Sequence, residues 1–488
     1  MDTLEHYFQK FRENIIGDNQ AYKTHFGEQH MIYADWIASG RLYRPIEEKI
    51  MNQIGPFVAN THTETSESGT RMTKAYHKAQ HIIKEHVNAN ENDVLITAGF
   101  GMTAVVNKFQ RLLGLKPCNQ FATERCNCRN TNRPVVFLTH MEHHSNQTSW
   151  YLTDCDVVVV PPSDDLLVDL ENLKVELEKY KDRTLKIGSF SAASNVTGII
   201  TPYYEMAKLM HEYGGLCFVD FAGSAPYVKM DMHPKDPMMK LDAIMFSPHK
   251  FLGGPGTSGV LIFDKSLYKN EVPDHPGGGT VDWTNAWGEY KFIDDIELRE
   301  DGGTPGFLQS IRVALSLRLK EEMTCEKIMQ REHELVDMAI DGLETINGIK
   351  VLASEHRNRI GAISFYHESV HFNFIVKLLS DKYGVQVRGG CACAGTYGHI
   401  LLGVDPEQSR RITEKINQGD LSEKPGWVRL SIHPSMRNDE LKLIIDAVAE
   451  IVANANEWEK DYQYNPKTNE FAYVSVSSTE NTIDHWFK

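Results

Sequence analysis

The sequence has no long basic run, and its 51 lysines and arginines are outnumbered by 66 acidic residues for a net charge of −15. Nucleic acid is therefore not expected as a partner. No stretch approaches the roughly 18 apolar residues of a membrane span. The first residues, Met1-Asp2-Thr3-Leu4-Glu5-His6, lack the basic and apolar regions of a signal peptide. The expectation is a cytoplasmic protein with no membrane partner. Cysteine is scarce, eight in 488 residues, which excludes a disulfide framework and points to free thiols. Three of these, Cys118, Cys126 and Cys128, fall in a polar stretch that reads as an insertion at about 116–132. They lack paired Cys-x-x-Cys units and a fourth ligand, so no metal is expected. Internal repeats and low-complexity tracts are also absent.

What is present is material for more than one core. The chain exceeds the size at which a single core stops growing, and 41% hydrophobic with 24% charged residues is an ordinary soluble composition. Strand-like runs recur at Val94–Gly99, Pro134–His140, Val157–Pro161, Leu185–Phe190, Leu216–Asp220, Ala243–Phe246 and Gly259–Phe263. Helical periodicity separates several of them, at 71–87, 169–180 and 204–213. Strands alternating with helices predict an α/β fold with a large, mainly parallel sheet covered on both faces. Beyond about Pro305, helical patterns at 309–322, 325–346, 371–383 and 438–453 mix with strands near 349–352, 361–365 and 428–432, which predicts a smaller α/β domain. The polar stretch from 460 suggests a tail.

In open α/β sheets, sites gather at the carboxyl ends of strands. Phe246-Ser247-Pro248-His249-Lys250 closes an apolar run and leads into glycine-rich chain. Burial there would disfavour the charged form of Lys250 and leave a reactive amine. Asp220 closes another apolar run, where an ionised carboxylate needs a partner. A pyridinium N–H would be that partner, and pyridoxal phosphate uses a carboxylate on its ring nitrogen and a lysine on its aldehyde. The thirty positions from Asp220 to Lys250 allow one crossover between adjacent strands. Gly99-Phe100-Gly101-Met102-Thr103 ends a strand and opens a helix, where backbone amides can hold a phosphate. Glu142-His143-His144-Ser145-Asn146 follows another strand and offers an imidazole, while Asn195 sits in a turn, Ser194-Asn195-Val196-Thr197-Gly198.

Together with Pro276-Gly277-Gly278-Gly279-Thr280 and Gly303-Thr304-Pro305, these segments resemble the class V branch of the fold-type-I pyridoxal-phosphate enzymes, particularly cysteine desulfurases and selenocysteine lyases. The resemblance runs from about Tyr33 to Val452. It implies that Lys250 forms the Schiff base, Asp220 pairs with the pyridine nitrogen and His143 stacks on the ring. Asn195 would approach the phenolic oxygen, while Gly101, Met102, Ser247 and His249 would contact the phosphate. Thr280 would reach the phosphate of a neighbouring subunit, which implies a homodimer with its sites at the interface. Arg429 matches the arginine that holds the substrate carboxylate, and His62 falls near the position of an active-site histidine. The implied organisation is an N-terminal segment (1–30) beside the small domain, a large cofactor-binding domain (31–305), a small domain (306–459) and a tail (460–488).

The segment Val387-Arg388-Gly389-Gly390-Cys391-Ala392-Cys393 resembles the desulfurase loop whose cysteine stands five places after an arginine, which selects Cys393. Arg388 would favour its thiolate. The implied reaction takes L-cysteine, or selenocysteine, through an external aldimine and leaves a persulfide on Cys393 with alanine as product. The sulfur would pass to an acceptor protein. Direct β-elimination to pyruvate, an aminotransferase or epimerase reaction on another amino acid, and a non-catalytic partner for sulfur transfer remain alternatives. Cys393 is also readable as a structural thiol, and Cys391 as a resolving thiol, a metal ligand or a bystander. One departure stands out: relatives commonly place glutamine three positions after the ring aspartate, where this chain has Gly223, with Ser224 as a candidate substitute donor.

Overall fold

The computed structural model describes residues 3–116, 132–474 and 483–487; the cysteine-bearing insertion lies outside them. Seven strands form the large sheet in the spatial order Asp93–Ala98, Gly259–Asp264, Ala243–Phe246, Leu216–Asp220, Lys186–Ser191, Val135–Thr139, Asp156–Val160. All run parallel except Gly259–Asp264, which is antiparallel to both of its neighbours. The interior strands read as continuous apolar runs because both faces are covered: every residue of Val135–Thr139 and Ala243–Phe246 is buried. Helices Met102–Leu112, Leu170–Lys179 and Tyr203–Glu212 lie among the crossovers. The register sets Asp220 beside Ser191 on one side and Met245 on the other. Lys250 then follows in a short 3₁₀ turn, Pro248–Lys250, so both residues reach the same edge of the sheet.

A second, four-stranded antiparallel sheet runs in the order Ile349–Val351, Ala362–His367, Trp427–Ser431, Arg388–Gly390. Its core takes in helices Cys325–Glu344, Phe372–Tyr383 and Asn438–Trp458. In its register Arg388 stands directly opposite Arg429. Two like charges at paired positions repel unless an anion intervenes.

The first thirty residues divide. Helix Leu4–Arg12 buries Phe8 and Phe11 in the core of the large sheet, whereas the hairpin Ala21–His30 attaches to helix Phe372–Tyr383 through Tyr22 Oη and Thr24 Oγ1. The stretch expected as a tail contains a hairpin, Tyr462–Asn465 with Glu470–Tyr473, whose Tyr462 and Phe471 enter the core of the smaller sheet. Its aromatic residues, scattered among polar ones, alternate along the hairpin and so fall on one face. Among the described residues, no helix is long and apolar enough to cross a membrane.

Candidate active site

A cavity of about 530 Å³ opens where the carboxyl edge of the large sheet meets the edge of the smaller one. Gly101, Met102, His143, Asn195, Asp220, Ser247, His249 and Lys250 line one side, with Arg388, Cys393 and Arg429 on the other. Of the residues singled out in the sequence as cofactor-binding, substrate-binding or nucleophilic, all but His62 and Thr280 converge on it, whereas Cys391 and Ser224 are not in its lining.

Lys250 sits at the sheet end because Pro248 begins a tight turn that only glycine can close. A Cβ on Gly254 would stand 1.9 Å from the Pro248 carbonyl oxygen. Burial pushes the Lys250 amine down to about 8, against the opposing pull of Asp220. Burial likewise pushes Asp220 up to about 7, although its Oδ1 accepts the Ala222 N–H at 2.8 Å. A carboxyl raised by desolvation is suited to a cationic N–H that restores its charge. His143 caps helix His144–Trp150: its Nδ1 accepts the Ser145 N–H at 3.1 Å, which leaves Nε2 as the protonated nitrogen of the neutral ring. Burial first, then the Lys250 charge, hold His143 down to about 4, and burial does the same for His249.

The turn into helix Met102–Leu112 forms an anion cradle. Ser247 Oγ accepts the Met102 N–H at 2.8 Å, so its own hydroxyl proton is free to donate. A Cβ on Gly101 would come within 2.9 Å of that oxygen, so glycine keeps the space open. Across the cavity, Arg429 is buried with Nε lacking any partner; its Nη1 donates to the Asn195 carbonyl at 3.2 Å and its Nη2 to Asp35 Oδ1 at 2.8 Å. Asn195 Oδ1 is also buried and unpartnered. A flat anionic group with a phosphate, a ring nitrogen and an aldehyde fits these donors and acceptors: phosphate at Gly101–Met102 and Ser247, ring nitrogen at Asp220, aldehyde at Lys250.

Three residues contribute here without having been singled out in the sequence. Asp35 takes Arg429 on one oxygen and Arg388 Nε on the other, at 3.1 Å, and so offsets one of the two opposed positive charges and leaves the pair cationic. An aspartate within the apolar run Met31–Ala38 carried the same signal as Asp220. Glu142 is buried and accepts hydrogen bonds from the Ser191 and Thr139 hydroxyls, both at 2.6 Å, and from Asn146 Nδ2 at 2.7 Å. It ties together two strand ends and the His143 helix, and it adds to the rise of Asp220. Ala392 gives its carbonyl to Asn195 Nδ2 at 2.6 Å, a contact no local pattern reveals.

His62 and Thr280 do not line the cavity of their own chain. His62 is exposed and packs over Gly279, while Thr280 is buried with Oγ1 donating to the Gly277 carbonyl at 2.6 Å. His62 belongs to the segment leading into helix Glu67–His86, which places it against the glycine loop and not beside the substrate space. Gly223 lines the cavity with nothing closer than 3.7 Å to where its Cβ would be. Ser224 is no substitute donor from the wall: its hydroxyl is buried behind it and unpartnered.

The family model for aminotransferase class-V matches residues 32–444. A probable cysteine desulfurase of Halalkalibacterium halodurans is 28% identical over 372 residues, 75% of this chain and 84% of that one. Another from Staphylococcus epidermidis is 26% identical over 384 residues, covering 78% and 87%. Among solved structures, an apo cysteine desulfurase from Thermococcus onnurineus superposes with a TM-score of 0.72 at 22% identity, covering 91% of this chain and 98% of the other. The Escherichia coli cysteine desulfurase CsdA gives 0.69 at 20% identity over the same shares.

Proposed function

Because the chain belongs to the aminotransferase class-V family, we propose that it is a pyridoxal-phosphate enzyme of the cysteine desulfurase kind, taking sulfur from L-cysteine and releasing alanine. The observation that carries this reading is one cavity holding the Lys250–Asp220 pair on one wall and the Cys393 thiol beside Arg388 and Arg429 on the other. The relatives' names point the same way.

Pyridoxal phosphate, when bound, supplies a sink for the electron pair released at the substrate Cα. Lys250 would hold the aldehyde, Asp220 the ring nitrogen, His143 one ring face, Asn195 the phenolic oxygen, and Gly101, Met102, Ser247 and His249 the phosphate. Arg429 would hold the substrate carboxylate, its guanidinium set in place by Asp35 and the Asn195 carbonyl. The Lys250 amine, freed by substrate, takes the Cα proton; with its pKa at about 8 it is close to the operating range of a general base. Cys393 would attack the substrate sulfur as thiolate; an S–S bond forms as the C–S bond breaks, the electron pair of that bond stays with the substrate β-carbon, and protonation of the carbon fragment gives alanine. Selenocysteine offers the same geometry to the same thiol.

The proposed working unit is a homodimer, in which Thr280, its hydroxyl turned to the Gly277 carbonyl in the single chain, rotates to reach the phosphate site of a second copy; His62 stands beside the same glycine loop. The sulfur then leaves for an acceptor protein in the cytoplasm. The proposed division is a large cofactor-binding domain, 31–305, and a small one, 306–459, with helix Phe307–Met323 packing into the large core and the hairpin at 462–473 joining the small one.

Purified protein incubated with L-cysteine should yield alanine, and borohydride should fix cofactor mass to the peptide bearing Lys250. Cys393→Ser should lose alanine formation by ~10²-fold or more while keeping the borohydride label. Pyruvate in place of alanine, or full alanine production by Cys393→Ser, would overturn the persulfide route.

A further inference from the structure

Helix His144–Trp150 starts between the two walls of the cavity. Its capping residue, His143, lines the cavity, whereas the next residue, His144, is half-buried outside the lining and bonds to the loop that carries Cys393. The proposed reaction places His143 on the cofactor ring and leaves His144 without a task.

That loop needs to be held. Ala392 and Cys393 have φ of 51° and 55°, the mirror image of a common turn, which residues other than glycine enter under strain. The turn closes on itself once, by the Ala394 N–H donating to the Cys391 carbonyl at 3.1 Å, and is gripped from outside by Asn195 Nδ2, which donates to the Ala392 carbonyl at 2.6 Å. His144 supplies two further bonds. Its backbone N–H donates to the Cys393 carbonyl at 2.8 Å, and its Nε2 accepts the Gly395 N–H at 2.9 Å, so the segment from Cys393 to Gly395 is held at both ends by one residue. One turn along the helix, Gln147 Oε1 accepts the Thr396 hydroxyl at 3.0 Å. The ring bond needs an unprotonated Nε2, which puts the single ring proton on Nδ1. Burial first, then the Lys424 charge, lower the His144 pKa and so favour the neutral ring. Gly395 lets its amide approach: a Cβ there would stand 3.1 Å from Nε2 and crowd it.

We propose that His144 is a positioning residue that holds the Cys393 thiol in line with the substrate sulfur, through its ring bond to Gly395 and its backbone bond to Cys393; this rests on the desulfurase reading above. His144 is outside the cavity lining, so it acts through the loop. Because His143 and His144 are consecutive, one helix end fixes both the imidazole that faces the cofactor and the backbone that presents the thiol. A strained turn released from that end relaxes, and a displacement of about 1 Å from the line of attack can cost about 10²-fold in rate.

The test separates the thiol step from the steps before it. L-Alanine offers the carboxylate and the Cα proton but no sulfur, so exchange of that proton in heavy water by holoenzyme reads Lys250 and Arg429 without Cys393. His144→Leu should keep this exchange and the borohydride label at wild-type levels. Sulfur transfer to Cys393, followed in a single turnover with L-cysteine by peptide mass, should meanwhile slow about tenfold or more. His144→Gln, which returns an acceptor near the place of Nε2, should recover most of that rate. Full-rate transfer in His144→Leu, equal losses in the two variants, or loss of Cα exchange together with sulfur transfer would overturn the positioning role and leave the desulfurase reading intact. Absence of alanine from wild type with L-cysteine would defeat that reading, and the positioning role with it. A second measurement needs no turnover: amide hydrogen exchange across residues 393–401 should quicken in His144→Leu and stay near the wild-type rate in His144→Gln. Unchanged exchange in His144→Leu would sink the proposal without any assay of activity.

Discussion

Lys250 and Cys393 line the same cavity, yet the backbone beneath them is held in different ways. Lys250 follows a strand whose residues are all buried, and Asp220 ends the strand beside it, so the hydrogen-bonded ladder of the sheet fixes both. Cys393 lies in a turn with two successive positive φ values, fixed by side-chain and backbone donors from Asn195 and His144. A sheet edge is rigid because the whole core would have to move with it. A clamped turn can be released by breaking a few hydrogen bonds, each worth about 1 kcal/mol. The rigid end suits a group that must hold a cofactor against one face. The releasable end suits a thiol that must reach a substrate and then carry sulfur away.

Removing the amine breaks the rigid end outright. Lys250→Ala should cut alanine formation by ~10²–10⁴-fold and abolish the borohydride-fixed mass, read by steady-state assay and peptide mapping. Arg429 bridges the two ends through the Asn195 carbonyl and Asp35. Arg429→Lys forfeits a charge-assisted, two-pronged contact of roughly 1.5–3 kcal/mol, so KM for L-cysteine should rise about tenfold or more.

The rigid end also has a pH signature. The Lys250 amine must be neutral to attack the aldehyde, and burial has lowered it to about 8. The rate of cofactor uptake by apoprotein should therefore climb about tenfold per pH unit below pH 8 and level off above it, followed by absorbance after mixing. A limb placed near the ordinary lysine value would show that the amine is solvated.

The smallest effect contrasts the two backbones directly. Ala243→Gly, in the strand leading to Lys250, should destabilise the protein by at least ~0.5–1 kcal/mol. Ala392→Gly removes left-handed strain of ~1–3 kcal/mol, offset in part by the entropy of the unfolded glycine, and should leave stability unchanged or raised by about 1 kcal/mol. Denaturant midpoints compare the two; equal losses would mean the turn carries no strain.

Much of the rigid end was legible in the sequence, because strands buried on both faces are written as apolar runs and a polar residue at the end of such a run is conspicuous. Asp220, Ser247 and Lys250 were found that way. Asp35 carries the same local signature, but its reason for being there is Arg388 and Arg429, more than 350 positions away. Glu142 was visible in its motif, yet its role as a knot between Thr139, Asn146 and Ser191 depends on strands that become neighbours only when the sheet forms.

By itself, then, the sequence determined the α/β class and pointed to the sheet edge and to Lys250 and Asp220 there; these follow from periodicity and from the free-energy cost of burying charge, which are local properties. Cys393 was marked only by the resemblance of its loop to the desulfurases. Only the tertiary structure decided that Arg388 and Arg429 oppose each other under one aspartate, that His62 sits with the glycine loop outside the cavity, and that Ala392 and Cys393 are bent into a left-handed turn. Each of those depends on contacts between distant segments, and a φ that the local chain disfavours is adopted only where such contacts outweigh its strain.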